Sequence, residues 1–387
     1  MASSARGLKS IVAKSPSDVV ILSSLRTAIT RSNKGGFRNA YDHELLSHVL
    51  RATLAANPNL PREKIDDVAV GVVLAELGGS KAARMAQLHA GFDDRTSLHT
   101  VNRACSSGLA AVTSIGNLIA SGQISVGVAA GMESMTRNYG SRAIPVNLWD
   151  ELRNSPQQDT RDCIMPMGLT SENVAKRYAV SRADQDAFAV ESHRRASHAQ
   201  RAGLFDAEIV PVQVQQTELP PKGSEKDAAV LATLKTAALA KLKPAFAHDG
   251  ASTAGNSSQL GLASSIIGKW VATQTVGCKP DEMGVGPAVA IPRLLDFTGL
   301  STDDVKVWEI NEAFASQALY CIRKLGLENR LDDINPRGGA IALGHPLGMT
   351  GVRQLTTLLP QLQPGEAGVV SMCIGTGMGM AGLFVRE

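Results

Sequence analysis

Apolar and polar positions recur along the chain in two patterns, one typical of buried strands and one typical of amphipathic helices. The first third predicts a strand over 18–25, a helix over 42–56, a second strand over 68–73 and a second helix over 81–90. A further strand is predicted over 125–132, where glycines indicate close packing. Strands that alternate with helices in this way predict an α/β sheet in which at least some strands are parallel.

One cysteine lies between the next predicted strand and helix. A short strand is predicted over 98–101, and an apolar periodicity that resumes at Leu109 predicts a helix. This pattern puts Cys105 on the first turn of that helix, where unpaired N–H groups and the positive end of the helix dipole favour a thiolate. An isolated cysteine is more often a buried structural residue, so its partners elsewhere in the chain decide its role.

The middle of the chain differs in composition from its two ends. From residue 133 to about 244 it carries polar loops and a long polar helix, opened by a capping-box-like pair of Ser181 and Asp184. The segment 217–227 is rich in proline, glycine and charge and is predicted to be an exposed linker. We interpret this middle third as an insertion between two α/β halves.

The last third of the chain returns to the alternation of strands and helices. Strands are predicted over 304–310 and 367–372, with a helix over 313–324 between them. The second of these strands ends at Cys373, so a second cysteine follows a strand in a second α/β half. This arrangement suggests an internal duplication of the pattern around Cys105.

Composition describes an ordinary globular protein, and its small net charge is compatible with an anionic small ligand. Its 387 residues are 44% hydrophobic and 19% charged, which is enough for a substantial core. The net charge of +3 and the aromatic content of 4% argue against a nucleic-acid partner. The five cysteines include no CxxC pair, which favours reduced thiols over a disulfide framework or a zinc site. No stretch is apolar enough to predict a membrane span.

Three late segments concentrate glycine and polar groups: NEAFA over 311–315, GGAIALGHPLG over 338–348, and CIGTGMGMAG over 373–382. Taken singly, each has an ordinary explanation, because histidine beside proline is commonly a turn residue and glycines commonly serve tight packing. The spacing GTGMG does not match a dinucleotide-binding fingerprint, and no acidic residue follows at the interval that a ribose requires. We therefore expect no Rossmann-type nucleotide site.

Taken together with the turn around Cys105, these segments resemble the thiolase family. NRACSSG, NEAFA, GGAIALGHPLG and SMCIGTGMGMA occur in this order, and the resemblance is greatest to the peroxisomal 3-ketoacyl-CoA thiolases. It covers nearly the whole chain from Asp18 to Glu387. Supporting stretches are GMESMTRNYG at Gly131, CIMPMGLTSENVA at Cys163, LKPAF at Leu242 and STAGNSSQ at Ser252.

The resemblance implies an α/β fold of two similar βαβαβαββ halves in a five-layered αβαβα arrangement with an inserted loop domain. The implied parts are a tail over 1–17, an N-terminal half over 18–132, a CoA-binding loop domain over 133–244, a return to the N-terminal half over 245–265, and a C-terminal half over 266–387. One departure stands out. After Gln259 the chain runs directly into sequence that resembles the start of the C-terminal half, so about one helix and one strand of the N-terminal core are predicted to be missing. Such a loss exposes apolar surface.

The resemblance also implies a role for each residue of the site. Cys105 is the nucleophile, His345 is the base that takes its proton, and Cys373 is the second cysteine, which supplies a proton to the leaving enolate and later deprotonates the incoming CoA. A water held by Asn311 faces, together with His345, the oxygen on which the enolate forms. The backbone N–H groups of Cys105 and Gly375 face the acyl oxygen.

By the same resemblance, CoA is a co-substrate and no metal or prosthetic group is bound. The residues that correspond to the lining of the family's CoA tunnel are Met167, Phe246, Ala254, Ser258 and Phe314. The family also implies a homodimer whose interface lies beside the active site. Apolar residues are core residues by default, so Met167 and Phe246 also have a purely structural explanation.

These observations favour CoA-dependent thiolysis of 3-ketoacyl-CoA, a step of fatty-acid β-oxidation that passes through an acyl group on Cys105. An acetoacetyl-CoA thiolase is the alternative within the same chemistry. A ketoacyl synthase is disfavoured because such enzymes lack the second cysteine. A catalytically silent thiolase-like binding protein is favoured only by the missing core segment. The resemblance implies a peroxisomal location, but no clear targeting signal is present, and mitochondrial and cytoplasmic locations stay open.

Overall fold

A computed structural model describes residues 7–139, 143–214, 217–218 and 266–387. The helices are α1 Gly7–Val12, α2 Asp42–Ala56, α3 Ser80–Ala90, α4 Ser107–Ala120, α5 Asp150–Arg153, α6 Gln158–Asp162, α7 Met167–Arg177, α8 Arg182–Arg201, α9 Gly286–Thr298, α10 Ala315–Lys324, α11 Ala340–Leu343 and α12 Thr350–Leu358. The strands are β1 Val19–Ser23, β2 Arg26–Thr27, β3 Asp67–Gly71, β4 Ser97–Val101, β5 Gly127–Gly131, β6 Ile209–Val210, β7 Gln213–Val214, β8 Thr217–Glu218, β9 Ile266–Gly277, β10 Val305–Ile310, β11 Ala367–Ile374 and β12 Met378–Val385.

Two main sheets carry the described part of the fold. The larger sheet has five strands in the order β1-β9-β12-β11-β10, with β10 parallel to β11 and the other three pairings antiparallel. The smaller sheet has the order β4-β3-β5, and all of its strands are parallel. The central strand β3 and the strand β11 are buried along their whole length, as expected for strands that helices cover on both faces.

Helices lie outside both sheets and between them. α2 and α3 pack on the outer face of the smaller sheet, and α4 together with α12 fills the space between the sheets. α9 and α10 pack on the outer face of the larger sheet. The order of layers is therefore helix, sheet, helix, sheet, helix, which confirms the five-layered αβαβα arrangement expected from the motifs.

Most predicted elements are present within a few residues of their predicted bounds, and α2 occupies the predicted range 42–56. Within the predicted tail, however, α1 forms a helix whose Ile11 is buried against the core of the C-terminal half. The predicted linker over 217–227 begins with the short strand β8, which pairs with β7, and its remainder lies outside the described residues. The helix α8 is polar overall but buries a line of small residues, among them Ala189 and Ala196.

The space between β5 and β1 holds no strand in the described part of the chain. If β3 and β5 are matched to the parallel pair β10 and β11, the counterpart of β12 would lie there. The two strands instead face each other across an apolar cleft, and Val20 and Leu22 of β1 are 56% and 60% exposed. A core shortened after Gln259 would leave its gap at this place, but residues 260–265 lie outside the described residues.

Leu22→Lys is expected to keep the fold and to reduce self-association, because this leucine adds exposed apolar surface on a strand that has only one partner among the described strands. The melting temperature followed by circular dichroism should change by less than about 3 °C, and light scattering of the folded protein should fall. Ile21→Lys is the matched control. Ile21 packs against the core between the sheets, so a charge there should lower the melting temperature by more than about 5 °C. An equal loss in Leu22→Lys would contradict an open cleft.

Candidate active site

Cys105 lies in a tight turn between β4 and α4. It precedes the helix N-cap, Ser106, and so does not lie on the first helical turn as predicted. Ala104 has a φ of 43°, a left-handed conformation that costs a non-glycine residue about 1–3 kcal/mol. The hydroxyl of Ser107 donates to the carbonyl of Ala104 and accepts the N–H of Arg103, and these two hydrogen bonds hold the turn in its strained conformation.

The thiol of Cys105 carries its proton at neutral pH. Burial raises the pKa of this thiol to about 11, and the neighbouring carboxyl of Glu133 acts in the same direction. Hydrogen bonds from the backbone N–H groups of Gly375 and of Cys105 itself oppose this rise without cancelling it. The expectation that the start of the helix favours a resting thiolate is therefore wrong, because desolvation outweighs the backbone donors.

His345 is buried and neutral. Burial lowers the pKa of its imidazole to about 3, and the positive charge of Arg353 contributes to the same shift. Its Nδ1 lies 2.7 Å from the Oγ1 atom of Thr350, and the side-chain nitrogen of Asn311 lies 3.4 Å from Nε2. With Nδ1 bonded to the hydroxyl, a neutral ring can keep a lone pair on Nε2 and accept a proton there.

Asn311 follows β10 and connects His345 with the end of β11. Its backbone N–H donates to the carbonyl of Ser371 at 2.8 Å, two residues before Cys373. Its buried Oδ1 atom has no hydrogen-bond partner among the described residues. A buried acceptor of this kind suits an ordered water, which is the role that the resemblance implies for this residue.

Cys373 is fully buried near the end of β11, a strand that extends two residues beyond its predicted end. Burial raises the pKa of its thiol well above the ordinary value, and the interaction with Cys105 adds to the rise. Cys105 therefore lies close enough to Cys373 to influence its pKa. An apolar cluster surrounds Cys373 and consists of Met167, Met283, Ala313 and Phe314.

The turn after Cys373 approaches Cys105 with bare backbone. A Cβ added at Gly375 would make ordinary van der Waals contact with Sδ of Met167 at 3.5 Å. Gly377 has a φ of 90°, and a Cβ added there would lie 2.5 Å from the carbonyl oxygen of Cys278. Gly377 is therefore required for the hairpin to pack, whereas Gly375 contributes a backbone N–H group that bonds to the sulfur of Cys105.

Two of the five predicted CoA contacts lie within the described residues. Met167 begins α7 and Phe314 is the N-cap of α10, and both pack in the cluster that contains Cys373. Phe246, Ala254 and Ser258 lie outside the described residues. The described pair therefore borders the second cysteine, and the lining of a CoA tunnel by all five residues stays a prediction.

Three buried polar residues that support the site escaped the prediction from motifs. Thr350 contacts the imidazole of His345, and Glu133 lies beside the turn of Cys105. Glu312, within NEAFA, accepts hydrogen bonds from Ser192 Oγ at 2.6 Å and from the side chain of Asn335 at 2.8 Å. The sequence did hold a signal for Glu133 and Glu312, because each is an acidic residue inside an otherwise apolar or glycine-rich motif. A carboxylate is stable in a protein core only where hydrogen-bond partners bind it.

The described residues give little evidence for a metal site, a membrane span or a disulfide. These residues include no group of three or more histidine, cysteine, aspartate or glutamate side chains that could hold a metal ion. None of the helices described is long and apolar enough to cross a bilayer. All five cysteines are free thiols.

Two family profiles match the chain almost from end to end. The profile described as the N-terminal domain of thiolase matches residues 19–267, and the profile described as the C-terminal domain of thiolase matches residues 264–386.

Curated relatives match over nearly their full length. The peroxisomal 3-ketoacyl-CoA thiolase of Yarrowia lipolytica is 43% identical over 405 aligned positions, which cover 99% of this chain and 96% of the relative. The peroxisomal 3-ketoacyl-CoA thiolase B of Rattus norvegicus is 46% identical over 395 positions, covering 96% of this chain and 91% of the relative. Because 405 positions exceed the 387 residues of this chain by 18, at least that many positions of the first relative have no counterpart here.

Solved structures match equally well. The dimeric peroxisomal thiolase of Saccharomyces cerevisiae superposes with a TM-score of 0.90 at 41% identity, covering 98% of this chain and all of that chain. A second structure from the same yeast, described as five-layered and built from two core domains of identical topology, superposes with a TM-score of 0.76 at 39% identity, covering 97% of this chain and 99% of that one.

Alkylation of Cys105 by iodoacetamide is expected to rise steeply with pH. Only the thiolate reacts, so with a pKa of about 11 the rate should increase about tenfold per unit between about pH 7 and pH 10. Peptide mapping by mass spectrometry measures the rate at Cys105, and Cys105→Ala controls for the other thiols. A rate that already levels off near pH 8 would contradict a protonated resting thiol.

Proposed function

The chain belongs to the thiolase family, and on that premise we propose that it is a 3-ketoacyl-CoA thiolase. The reaction cleaves a 3-ketoacyl-CoA with free CoA and yields acetyl-CoA and an acyl-CoA shortened by two carbons. The resemblance inferred from the motifs is thus confirmed at the level of the family. The observation that most supports the reaction is the pair of protonated cysteines, a half-buried Cys105 and a fully buried Cys373, of which the first lies close enough to raise the pKa of the second.

In the first half of the reaction, Cys105 is the nucleophile and His345 is the base. Nε2 of the imidazole takes the thiol proton as the sulfur forms a bond to the 3-keto carbon of the substrate. The bond between C2 and C3 then breaks, its electron pair passes to the enolate of acetyl-CoA, and the thiol of Cys373 protonates C2. Acetyl-CoA leaves, and an acyl thioester remains on Cys105.

The second half of the reaction restores a proton to each residue of the site that lost one. Cys373, now a thiolate, takes the proton of the incoming CoA thiol, and the CoA sulfur attacks the acyl carbon. The bond between the acyl carbon and Cys105 breaks, and the released thiolate recovers its proton from His345. The shortened acyl-CoA leaves, and the site is again neutral.

The pKa values of the resting site limit when the first proton moves. Burial raises the pKa of Cys105 to about 11 and lowers that of His345 to about 3, so the proton stays on sulfur until substrate is bound. Transfer has to accompany bond formation, when charge develops on the substrate oxygen. In this proposal the N–H groups of Cys105 and Gly375, which bond to the sulfur of Cys105 before substrate binds, donate hydrogen bonds to that oxygen, and such donors are commonly worth about 3 kcal/mol each. The second oxyanion site, formed by His345 and a water on Asn311, belongs to the enolate.

CoA acts as a co-substrate in this proposal, and the steps above need neither a metal nor a prosthetic group. The loop domain is the part assigned to CoA, because Met167 at the start of α7 packs beside Cys373. The proposed parts are the tail (1–17), the N-terminal half (18–132 and 245–265), the loop domain (133–244) and the C-terminal half (266–387).

We further propose that the enzyme is a homodimer located in peroxisomes. The matching yeast structure is described as dimeric and peroxisomal, and the curated relatives from Yarrowia lipolytica and Rattus norvegicus are named as peroxisomal enzymes. Size-exclusion chromatography with light scattering tests the first statement. Fractionation of the native cells tests the second against mitochondrial and cytoplasmic locations.

Two alternatives are separated by one assay. An acetoacetyl-CoA thiolase would share the same residues, whereas the edges of β1 and β5 that no described strand pairs with favour a catalytically silent, thiolase-like binding protein. Loss of acetoacetyl-CoA and of a longer 3-ketoacyl-CoA is measured on monodisperse protein with and without CoA. Turnover of the longer substrate supports the proposal, turnover of acetoacetyl-CoA alone supports the first alternative, and no turnover by folded protein supports the second.

Substitution of each cysteine in turn is expected to distinguish the role of the nucleophile from the role of the acid. Cys105→Ala should abolish thiolysis, and Cys373→Ala should lower it by about 10³-fold or more because the leaving enolate and the incoming CoA lose their proton carrier. Cys105 should still be alkylated in Cys373→Ala. Cys321→Ala is the matched control, since Cys321 is as buried as Cys373 but its thiol bonds to the carbonyl of Gly284 and has no assigned role in the reaction. An equal loss of turnover in this control would contradict the assignment.

Thr350→Val is expected to lower kcat about tenfold and to change KM less than about threefold. The valine keeps the shape of the side chain but leaves Nδ1 of His345 without its hydroxyl partner, so the orientation and tautomer of the base are no longer fixed. Thr357→Val is the control on the same helix, where the hydroxyl bonds to Glu208 at 3.3 Å. Steady-state kinetics compare the two, and equal values for both variants would argue against a role of Thr350 in positioning His345.

A further inference from the structure

A buried carboxyl group connects the loops that carry the nucleophile and the base. Glu133 follows β5 and is fully buried. Its Oε1 atom accepts the N–H of Leu74 at 3.1 Å, and its Oε2 atom accepts the N–H of Val73 at 3.1 Å and that of Gly348 at 3.0 Å. These three donors come from two segments that are far apart in the sequence, so one side chain joins the N-terminal and C-terminal halves.

The bond to Gly348 fixes the loop of His345. Gly348 lies three residues after the histidine, and its backbone is inserted between the ends of β3 and β5. A Cβ added to it would lie 2.8 Å from the carbonyl oxygen of Gly71 and 2.9 Å from that of Met132. In so narrow a space the N–H of Gly348 has no room to turn to another acceptor, so the carboxyl of Glu133 determines where this loop rests.

The bond to Val73 reaches the turn of Cys105 through two further hydrogen bonds. The carbonyl of Val73 accepts from the side-chain nitrogen of Asn102 at 3.3 Å. The Oδ1 atom of Asn102 in turn accepts the N–H of Ala104 at 3.0 Å, in the strained residue next to Cys105. The same carboxyl therefore supports both sides of the site.

The chemistry of the three donors requires a carboxylate at this position. Burial raises the pKa of Glu133 to about 7, and the hydrogen bonds from the backbone oppose that rise by favouring the charged form. A carboxylate accepts on both oxygens. A glutamine has the same shape but accepts hydrogen bonds on one oxygen only. Its side-chain NH₂ group would face one of the backbone N–H groups, and two donors cannot bond to each other.

We propose that Glu133 is a positioning residue that sets the distance between Cys105 and His345. It acts through Gly348 on one side and through Val73 on the other, and it takes no part in the transfer of protons or acyl groups. The inference rests on the proposed function, because that function makes His345 the base for Cys105. A misplacement of about 1 Å between reacting groups commonly costs about 100-fold in rate.

The test compares Glu133→Gln with Asp67→Asn in the full chain. Asp67 is a second buried carboxylate of the same half, and its side-chain partners are Ser97 and His99 rather than either loop of the site. Both variants are expected to melt at lower temperature than the wild type. Glu133→Gln alone should lose 10- to 100-fold in kcat per folded molecule, as estimated from misplacement of reacting groups, with KM changed less than about threefold. Hydrogen exchange in peptides that span 345–349 should become faster in this variant only.

Equal kcat values for the two variants, or unchanged exchange over 345–349, would overturn the inference. If Glu133→Gln does not fold, Glu133→Asp replaces it, because the shorter side chain keeps the charge but does not span the three donors. A wild-type protein without thiolysis would refute the proposed function, whereas faster exchange in Glu133→Gln would still support the link between the two loops.

Discussion

Contact between bare backbones, where the two halves of the chain meet, is the constraint on which the site depends. A Cβ on Gly71 would lie 2.5 Å from the N–H nitrogen of Gly108 and from the carbonyl oxygen of Gly348, and a Cβ on Gly131 would lie 2.5 Å from the same carbonyl oxygen. Cys105 belongs to one half, whereas His345 and Cys373 belong to the other. A side chain in this contact would move the two sets apart, so the glycines determine whether the reacting groups meet.

Burial then determines the protonation state of these groups before substrate binds. The low-dielectric surroundings keep both thiols protonated and the imidazole neutral, although each residue type alone would suggest an easily formed ion pair. A neutral site avoids the cost of a permanently buried charge. In the proposed reaction, charge appears only after substrate binds, on substrate oxygens that face backbone donors and on the residues that exchange protons. In this account the enzyme relies on the placement of donors more than on an activated resting nucleophile.

Local sequence patterns predicted the helices and strands well, but they predicted the burial and the long-range partners of the site residues poorly. The helix over 42–56 and the strand–turn–helix around Cys105 follow from short-range periodicity, and the motif residues follow from the family resemblance. The state of the Cys105 thiol was predicted wrongly, because its burial depends on the other half of the chain. Thr350 and Glu133 escaped notice for the same reason, since their partners lie across a turn or across the interface between the halves.

The most direct test of the account is to mix the protein with a 3-ketoacyl-CoA in the absence of free CoA and to map the acylated peptide by mass spectrometry. We expect one equivalent of acetyl-CoA to be released and the shortened acyl group to be found on Cys105, within the strained turn before α4. An acyl group on Cys373 or on another cysteine, or acylation without release of acetyl-CoA, would contradict the roles assigned to the two cysteines.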